Sequence, residues 1–246
     1  MVFSVIFYIM AGNNGPKIVT NGLVLVLDAA DRKSYIGTGT AWNDLSERGN
    51  NGTLTNCTFS STFGGRFSFN GSTSLVNCGT ATNINNIPAI TISSWINKTN
   101  FSAAGQDDRI VTKRNSAQGS GWWDFYTKYT QTIGFNADFL TTDINRETST
   151  TINLNTNNFV CVTWDGSATA ANIKLYINGV EASYTNSIDG VGGRVTETTN
   201  NLYIGNGNWG NRPFLGSIYN TIIYNRVLSA TEVLQNFNAT RGRFGL

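Results

Sequence analysis

NFVCVTWDGSATAANIKLYINGVEASY, residues Asn158 to Tyr184, is the stretch whose reading decides the fold. Phe159 to Trp164 is a dense run of β-forming residues, and Ile173 to Ile177 is a second. Asn178-Gly179 follows it, the strongest short hairpin signal, because both residues tolerate positive φ. The stretch predicts antiparallel strands with Val160, Val162 and Trp164 turned toward a core.

Short strand patterns recur on both sides of it. Upstream they fall at Gly22–Asp28, Gly52–Leu54, Arg66–Phe69, Ser74–Val76, Ala89–Ile96, Arg109–Lys113, Trp122–Thr127, Thr132–Asn136 and Thr150–Leu154. Downstream they fall at Leu202–Ile204 and Leu215–Tyr224. Ala89–Ile96 alternates cleanly, with Ile90, Ile92 and Ile96 on one side and Thr91, Ser93 and Trp95 on the other. Asp28 to Asn51 reads as a loop plugged by Trp42 and Leu45. Many short strands between turn clusters, with hardly any helix, predict an all-β antiparallel sandwich.

One helix breaks the pattern. Ser229 and Glu232 form a capping box, and Leu228 before the cap faces Val233 as a staple. Ala230, Val233, Leu234 and Phe237 then mark an apolar stripe that predicts a helix over about 229–238, docked on the sandwich. Phe244 and Leu246 stand out in the otherwise polar tail 239–246 and are expected to anchor to the body or to a partner. At the other end, Met1 to Met10 is apolar but too short for a membrane span and lacks the positive start of a secretory signal. Either Met10 is the natural start, or Val2 to Ile9 is an added strand that pairs with a neighbouring sheet or subunit. The chain therefore divides into an N-terminal extension (1–21), one sandwich domain with its helix (22–238) and a tail.

Composition narrows the chemistry. Charged residues make up 13% of the chain and the formal net charge is +2, too little to call for a nucleic-acid or anionic-membrane partner. Histidine is absent, which removes the commonest general base and metal ligand. Cys57, Cys78 and Cys161 lack metal-site spacing; Cys161 is expected as a small core hydrophobe, and free thiols, as in a protein made in a reducing cytoplasm, are the expectation, with a Cys57–Cys78 pair the alternative.

No run places two carboxylates as a glycosidase requires. Asp107-Asp108 reads as a loop pair, Asp124 and Asp165 stand alone in their strands, and solvated or turn-capping roles are expected for all four. Asp28, Asn70, Asp107 and Asp108 supply the oxygen ligands that calcium would need, without a diagnostic spacing. Sugar binding needs only an aromatic face and hydrogen-bonding neighbours. Trp209 with Asn208, Asn211 and Arg212, and Trp122 and Trp123 beside Asp124, have that composition, although tryptophans in a sandwich also fill its core.

Several stretches resemble the laminin-G-like, concanavalin A-like jelly-roll family: FSFNGSTSLV (Phe67–Val76), FVCVTWDGS (Phe159–Ser167), IKLYINGV (Ile173–Val180), NLYIGNG (Asn201–Gly207) and FLGSIYNTIIYNRVLSATEVLQNF (Phe214–Phe237). The resemblance implies a two-sheet jelly roll that binds glycans or proteins, often with a structural calcium. Tyr219 and Asn220, and Asn70, stand where many members carry acidic residues, so the family's metal loses negative charge here. GPKIVTNGLVLVLDAADRKSY (Gly15–Tyr35) and LQNFNATRGRFGL (Leu234–Leu246) resemble structural proteins of tailed, often marine, bacteriophages. That resemblance implies a non-enzymatic virion protein, a capsid decoration or a tail or fibre component. It would be made in the host cytoplasm and displayed on the virion, with other virion proteins, its own copies and glycans as partners. A free-standing lectin is the alternative, and a polysaccharide depolymerase the more distant one.

Overall fold

A computed structural model describes residues 16–101, 106–114, 121–207 and 212–246. The strand expected at Val2–Ile9 and the candidate residues Asn208, Trp209 and Asn211 lie outside the described residues. The first strands are β1 (Leu23–Asp28), β2 (Ala41–Trp42), β3 (Gly52–Thr55), β4 (Thr58–Ser60), β5 (Arg66–Asn70), β6 (Leu75–Asn77) and β7 (Ile90–Lys98). The middle of the chain gives β8 (Asp107–Lys113), β9 (Trp123–Lys128), β10 (Ile133–Ala137), β11 (Ile144–Thr148) and β12 (Asn158–Trp164). The rest is β13 (Lys174–Ile177), β14 (Val180–Glu181), β15 (Tyr184–Ile188), β16 (Leu202–Ile204), β17 (Leu215–Tyr224) and the helix α1 (Ala230–Arg241).

These strands form two antiparallel sheets. The first runs β14-β13-β12-β7-β17-β5-β4, with β1 also on β17; the second runs β15-β11-β10-β9-β8-β16-β6-β3-β2. Strand β17 joins the first sheet together. One edge pairs along β7, while the other pairs with β5 through Leu215–Ile218 and with β1 through Asn220–Tyr224. The stretch around Phe159 does what its pattern predicts. Strand β12 lies between β7 and β13 with all seven residues buried, and Val160, Val162 and Trp164 join the core between the sheets. Asn178 (φ 51°) and Gly179 (φ 81°) turn β13 back onto β14, the paired positive φ that a tight hairpin needs.

The first sheet is apolar on both faces. Ile90, Ile92 and Ile96 face the inter-sheet core, while Trp95 on the same strand faces outward with Phe159, Cys161, Tyr176, Tyr219 and Tyr224. Helix α1 covers that outer face. Its capping box forms as read, with Ser229 and Glu232 bonded reciprocally, but it runs to Arg241 and so extends into the expected tail. It also docks on a different stripe. Val233, Asn236 and Phe237 are buried, whereas Leu234 is 42% exposed and Ala230 is exposed. Asn236 decides the rotation. Its amide accepts from Val19 N–H at 2.8 Å and donates to the Tyr224 hydroxyl at 3.0 Å, fixing residues assigned to the N-terminal extension against the helix. Beyond the helix, Phe244 stacks on Trp95 with centroids 4.1 Å apart, whereas Leu246 is exposed.

Some expected elements differ. Thr150–Leu154 is not a strand; β11 is Ile144–Thr148, which sequence patterning passes over because only Ile144 in it is a large apolar residue. Trp42 is fully buried and Leu45 half-buried, as plugs should be, but Ala41–Trp42 pairs with β3. Asp107 and Asp108 open β8 instead of forming a loop. Asp108 is not solvated. It points between the sheets and pairs with Lys98 of β7 at 2.5 Å, both side chains buried, with the ammonium 4.3 Å from the Phe214 ring centroid. Burial pushes the Lys98 amine down, and the neighbouring carboxylate opposes that shift. Cys57, Cys78 and Cys161 are free, and burial pushes the first two thiols up to about 12. No helix among the described residues is long and apolar enough to cross a membrane.

Two measurements test these anchors. The Glu232 carboxyl is held down to about 2, below its ordinary 4.5, chiefly by the Arg226 guanidinium. The unfolded chain therefore binds more protons there, so this contribution is present above pH 4.5 and lost as pH falls toward 2. Thermal melts across that window should show wild type losing more stability than Glu232→Gln; parallel curves would exclude the contribution. Lys98→Met leaves Asp108 buried without its lysine and should cost ~3 kcal/mol in urea denaturation, while Lys98→Met with Asp108→Leu should recover most of it. A double variant as unstable as the single one would contradict this.

Candidate functional site

The outward face of the second sheet is polar where that of the first is apolar, and β9 shows how. In this strand Trp123 and Phe125 face the core, so Asp124, Tyr126 and Lys128 face outward. Trp123 is therefore a core residue, packed 6.4 Å from Phe135, and its expected role as a ligand contact is corrected. Half-buried Trp122 lies on the outward side, with the Arg114 guanidinium 4.2 Å from its ring centroid.

Asp124 is fully buried although it faces outward, because side chains from the neighbouring strand roof it. Arg109 reaches it at 2.8 Å and Arg114 at 3.2 Å, and the Thr112 hydroxyl donates a short hydrogen bond. The expectation of a solvated carboxylate fails here for a topological reason. Strand β8 pairs with β9, which brings three donors onto one carboxylate. Arg109 also donates its backbone N–H to the Arg212 carbonyl at 2.9 Å. Two candidate groups distant in sequence, Trp122–Asp124 and Arg212, thus meet through one arginine.

Farther along β9, Tyr126 lies flat across β10. A Cβ on Gly134 would sit 2.5 Å from its ring, so only glycine leaves room for it. The Tyr126 hydroxyl donates to Glu147 at 3.1 Å and accepts from Asn145 at 2.8 Å. Burial, reinforced by the Glu147 charge, pushes this phenol well above its ordinary range and keeps it a neutral donor. Lys128 completes the row with an ion pair to Glu147 at 2.6 Å. Asn186 of β15 donates to Asn145 at 2.8 Å. Arg109, Tyr126, Asn145, Glu147 and Asn186 were not singled out in the sequence; the outward alternation in WDFYTK was the available signal.

The metal candidates do not fit calcium. The Asn70 carbonyl oxygen accepts three backbone N–H groups, from Ser72, Thr73 and Ser74, at 2.9 to 3.1 Å. Asp28 accepts from Ala30 N–H and from Arg243 at 2.7 Å, Asp108 holds Lys98, and Asp107 lies 3.9 Å from Arg109. Asn70 Oδ1, Asp28 Oδ1 and Asp108 are engaged by donors or cations, which a bound cation would have to displace. Among the described residues no three His, Cys, Asp or Glu side chains cluster as a metal site. Asp165 keeps the turn-capping role expected of it, accepting from Ser167 N–H at 3.0 Å.

Known proteins share this architecture. Domain 4 of AbnA, a GH43 extracellular arabinanase from Geobacillus stearothermophilus solved with arabinotriose, superposes with a TM-score of 0.61 at 17% identity, over 88% of this chain and 98% of that one. The binding domain of Paraclostridial Mosquitocidal Protein 1 gives 0.64 at 19% identity, over 89% of this chain and 52% of that one. The Trypanosoma rangeli sialidase, solved as a covalent intermediate with 2,3-difluorosialic acid, gives 0.62 at 14% identity, over 90% of this chain. The chain spans 33% of that sialidase, and at such identities the likeness is one of fold. No curated protein sequence matches the chain. Residues 70–234, more than half of the chain, match the family described as the concanavalin A-like lectin/glucanases superfamily, and the chain belongs to it.

Proposed function

We propose that this chain is a non-enzymatic, glycan-binding module of a virion surface component, a capsid decoration or a tail or fibre protein. The observation that carries the binding reading is half-buried Trp122, fixed by Arg114 above the buried Asp124–Arg109 pair, with Arg212 on the same arginine. An aromatic surface held in place beside guanidinium groups meets the requirement for stacking on a sugar and bonding its hydroxyls. The arabinotriose-bound relative supports that reading by analogy of fold.

Catalysis finds less support on this face. Glycoside hydrolysis needs one carboxyl that gives up a proton and a second that attacks or activates water. Asp124 is clamped by two arginines and a threonine, and Glu147 by Lys128 and Tyr126. Asp107 stands beside Arg109, its carboxyl pushed up mainly by burial. The virion assignment rests on the phage-like flanks Gly15–Tyr35 and Leu234–Leu246. It takes other virion proteins and copies of the chain as partners, with synthesis in the host cytoplasm and display on the particle. A free-standing lectin is the second reading, favoured by the same binding face without the flanks.

A glycan array should give at least one hit that Trp122→Ala weakens by about tenfold or more, near 1.4 kcal/mol, without lowering the melting temperature. Trp209→Ala tests the other tryptophan candidate from the sequence in the same way. Absence of any glycan hit would sink the binding reading, and release of reducing ends by the protein, abolished in Asp124→Asn, would replace it with a depolymerase. Mass spectrometry of purified particles should find the chain, and deleting residues 1–10 should reduce its incorporation while leaving its melting temperature unchanged. A protein absent from particles that still binds glycan would be the lectin.

A further inference from the structure

One open edge of the first sheet carries a small apolar pocket. Strand β4 ends that sheet on one side, and among the described residues it pairs only with β5. Beside it, Ala29, Ala30, Tyr35, Ile36, Phe59 and Gly64 form most of the lining of a pocket of about 220 Å³. That volume falls below the ~300–1,000 Å³ of small-molecule sites and suits one large side chain better than a ligand.

The backbone builds this pocket firmly. A Cβ on Gly65 would collide with the Ala29 carbonyl, so the two chain segments lie in direct contact. Arg243 donates to the Phe63 and Gly65 carbonyls and fixes the same turn. Phe63 within it sits at φ 53°, ψ 38°, a left-handed conformation that a bulky residue keeps only where its surroundings impose it. Tyr35 spends its hydroxyl on the Gly39 carbonyl at 3.0 Å, and its ring packs 4.9 Å from that of Phe59. Ile36, 63% exposed, and Phe63, 42% exposed, leave apolar surface uncovered at this edge. Arg32 is the only charged side chain among the described residues of the lining.

An open strand edge beside a side-chain pocket is the arrangement that accepts an added strand. Main-chain hydrogen bonds run along the edge, and alternate side chains fill the pocket. The chain carries a segment of matching chemistry. Val2 to Ile9 has no charged side chain and no proline, and its alternate residues Phe3, Val5, Phe7 and Ile9 are all large and apolar. Downstream of it, Gln235 of α1 holds the Lys17 carbonyl at 2.8 Å, so the segment leaves the body from the helix surface. Eight residues of extended chain from Ile9 to Lys17 span roughly 26–29 Å, enough to carry the segment to a neighbour. A strand at one place and its acceptor at another make a heterologous contact, which joins copies head to tail.

We propose that Val2–Ile9 of one copy adds as a strand to β4 of a second copy, with its Phe3, Val5, Phe7 and Ile9 side turned to the Tyr35–Phe59 pocket. This rests on the reading of residues 1–10 as a partner-pairing strand and names the partner as another copy of the chain. Sedimentation velocity of the full chain over a concentration series should show self-association. Phe7→Asp, which blocks the strand, and Ile36→Asp, which blocks the pocket from an exposed position, should each weaken it by about tenfold or more, with the melting temperature of the dilute chain unchanged. The two variants mixed should form a dimer and nothing larger, because one intact strand and one intact pocket remain. A full chain that stays monomeric overturns the proposal, as does association that survives both variants or a mixture that fails to dimerise. A lower melting temperature in Phe7→Asp without any association would seat the strand on its own domain and overturn it too. Particle incorporation separates this contact from the virion role. Self-association by a chain absent from particles would leave the contact standing and remove the virion reading. Incorporation lost in Phe7→Asp, from a chain that never self-associates, would do the reverse and make the partner another virion protein.

Discussion

The first sheet has apolar side chains on both faces, and the rest of the structure follows from the need to cover the second of them. Trp95, Phe159, Tyr176, Tyr219 and Tyr224 turn away from the inter-sheet core and cannot be left to water without a large exposed apolar patch. Helix α1, Val19 and Phe244 cover them, and polar contacts set the position of the cover: Asn236 to Val19 and Tyr224, and the Trp95 indole N–H to Thr240 at 2.8 Å. A sheet used in this way is closed to ligands. The proposed recognition site accordingly lies on the other sheet.

The second sheet solves the opposite problem. Its outward face carries Asp124, Tyr126, Glu147 and Arg109, all buried, so each needs partners. They find them in one another, along a row from Trp122 to Lys128. A buried polar row of this kind is rigid when satisfied, because any displaced member leaves a neighbour unpaired. Rigidity suits weak ligands such as sugars, since a surface already ordered loses little entropy on binding.

Legibility in the sequence tracked this division of labour. Strands β7, β12 and β17 were readable because their apolar residues alternate or run unbroken, and the capping box fixed the start of α1. Strand β11 was not, because INRET offers a single large apolar residue and owes its place to pairing with β10 and β15. The burial of Asp108 and Asp124 was equally hidden. Their partners Lys98, Arg109 and Arg114 lie ten or more residues away, and only strand register brings them together. Trp122 and Trp123 were read as a pair, yet the alternation with Phe125 already separates an outward ring from an inward one. Asn236 misled by type: a polar residue was left off the docking stripe, although hydrogen bonding lets it be the buried one.

Strand β17 and Arg243 carry a consequence for how the chain comes into being. β17 supplies the edge on which β1, two hundred residues earlier, must pair, and Arg243 reaches Asp28 together with the Phe63 and Gly65 carbonyls. During synthesis β1 emerges with neither partner available. Its run of LVLVL waits as an unpaired hydrophobic edge until translation has passed Tyr224, the end of β17. Such long-range closure favours slow folding, and whatever shelters β1 in the meantime bears on the yield of native protein as much as any contact in the finished fold.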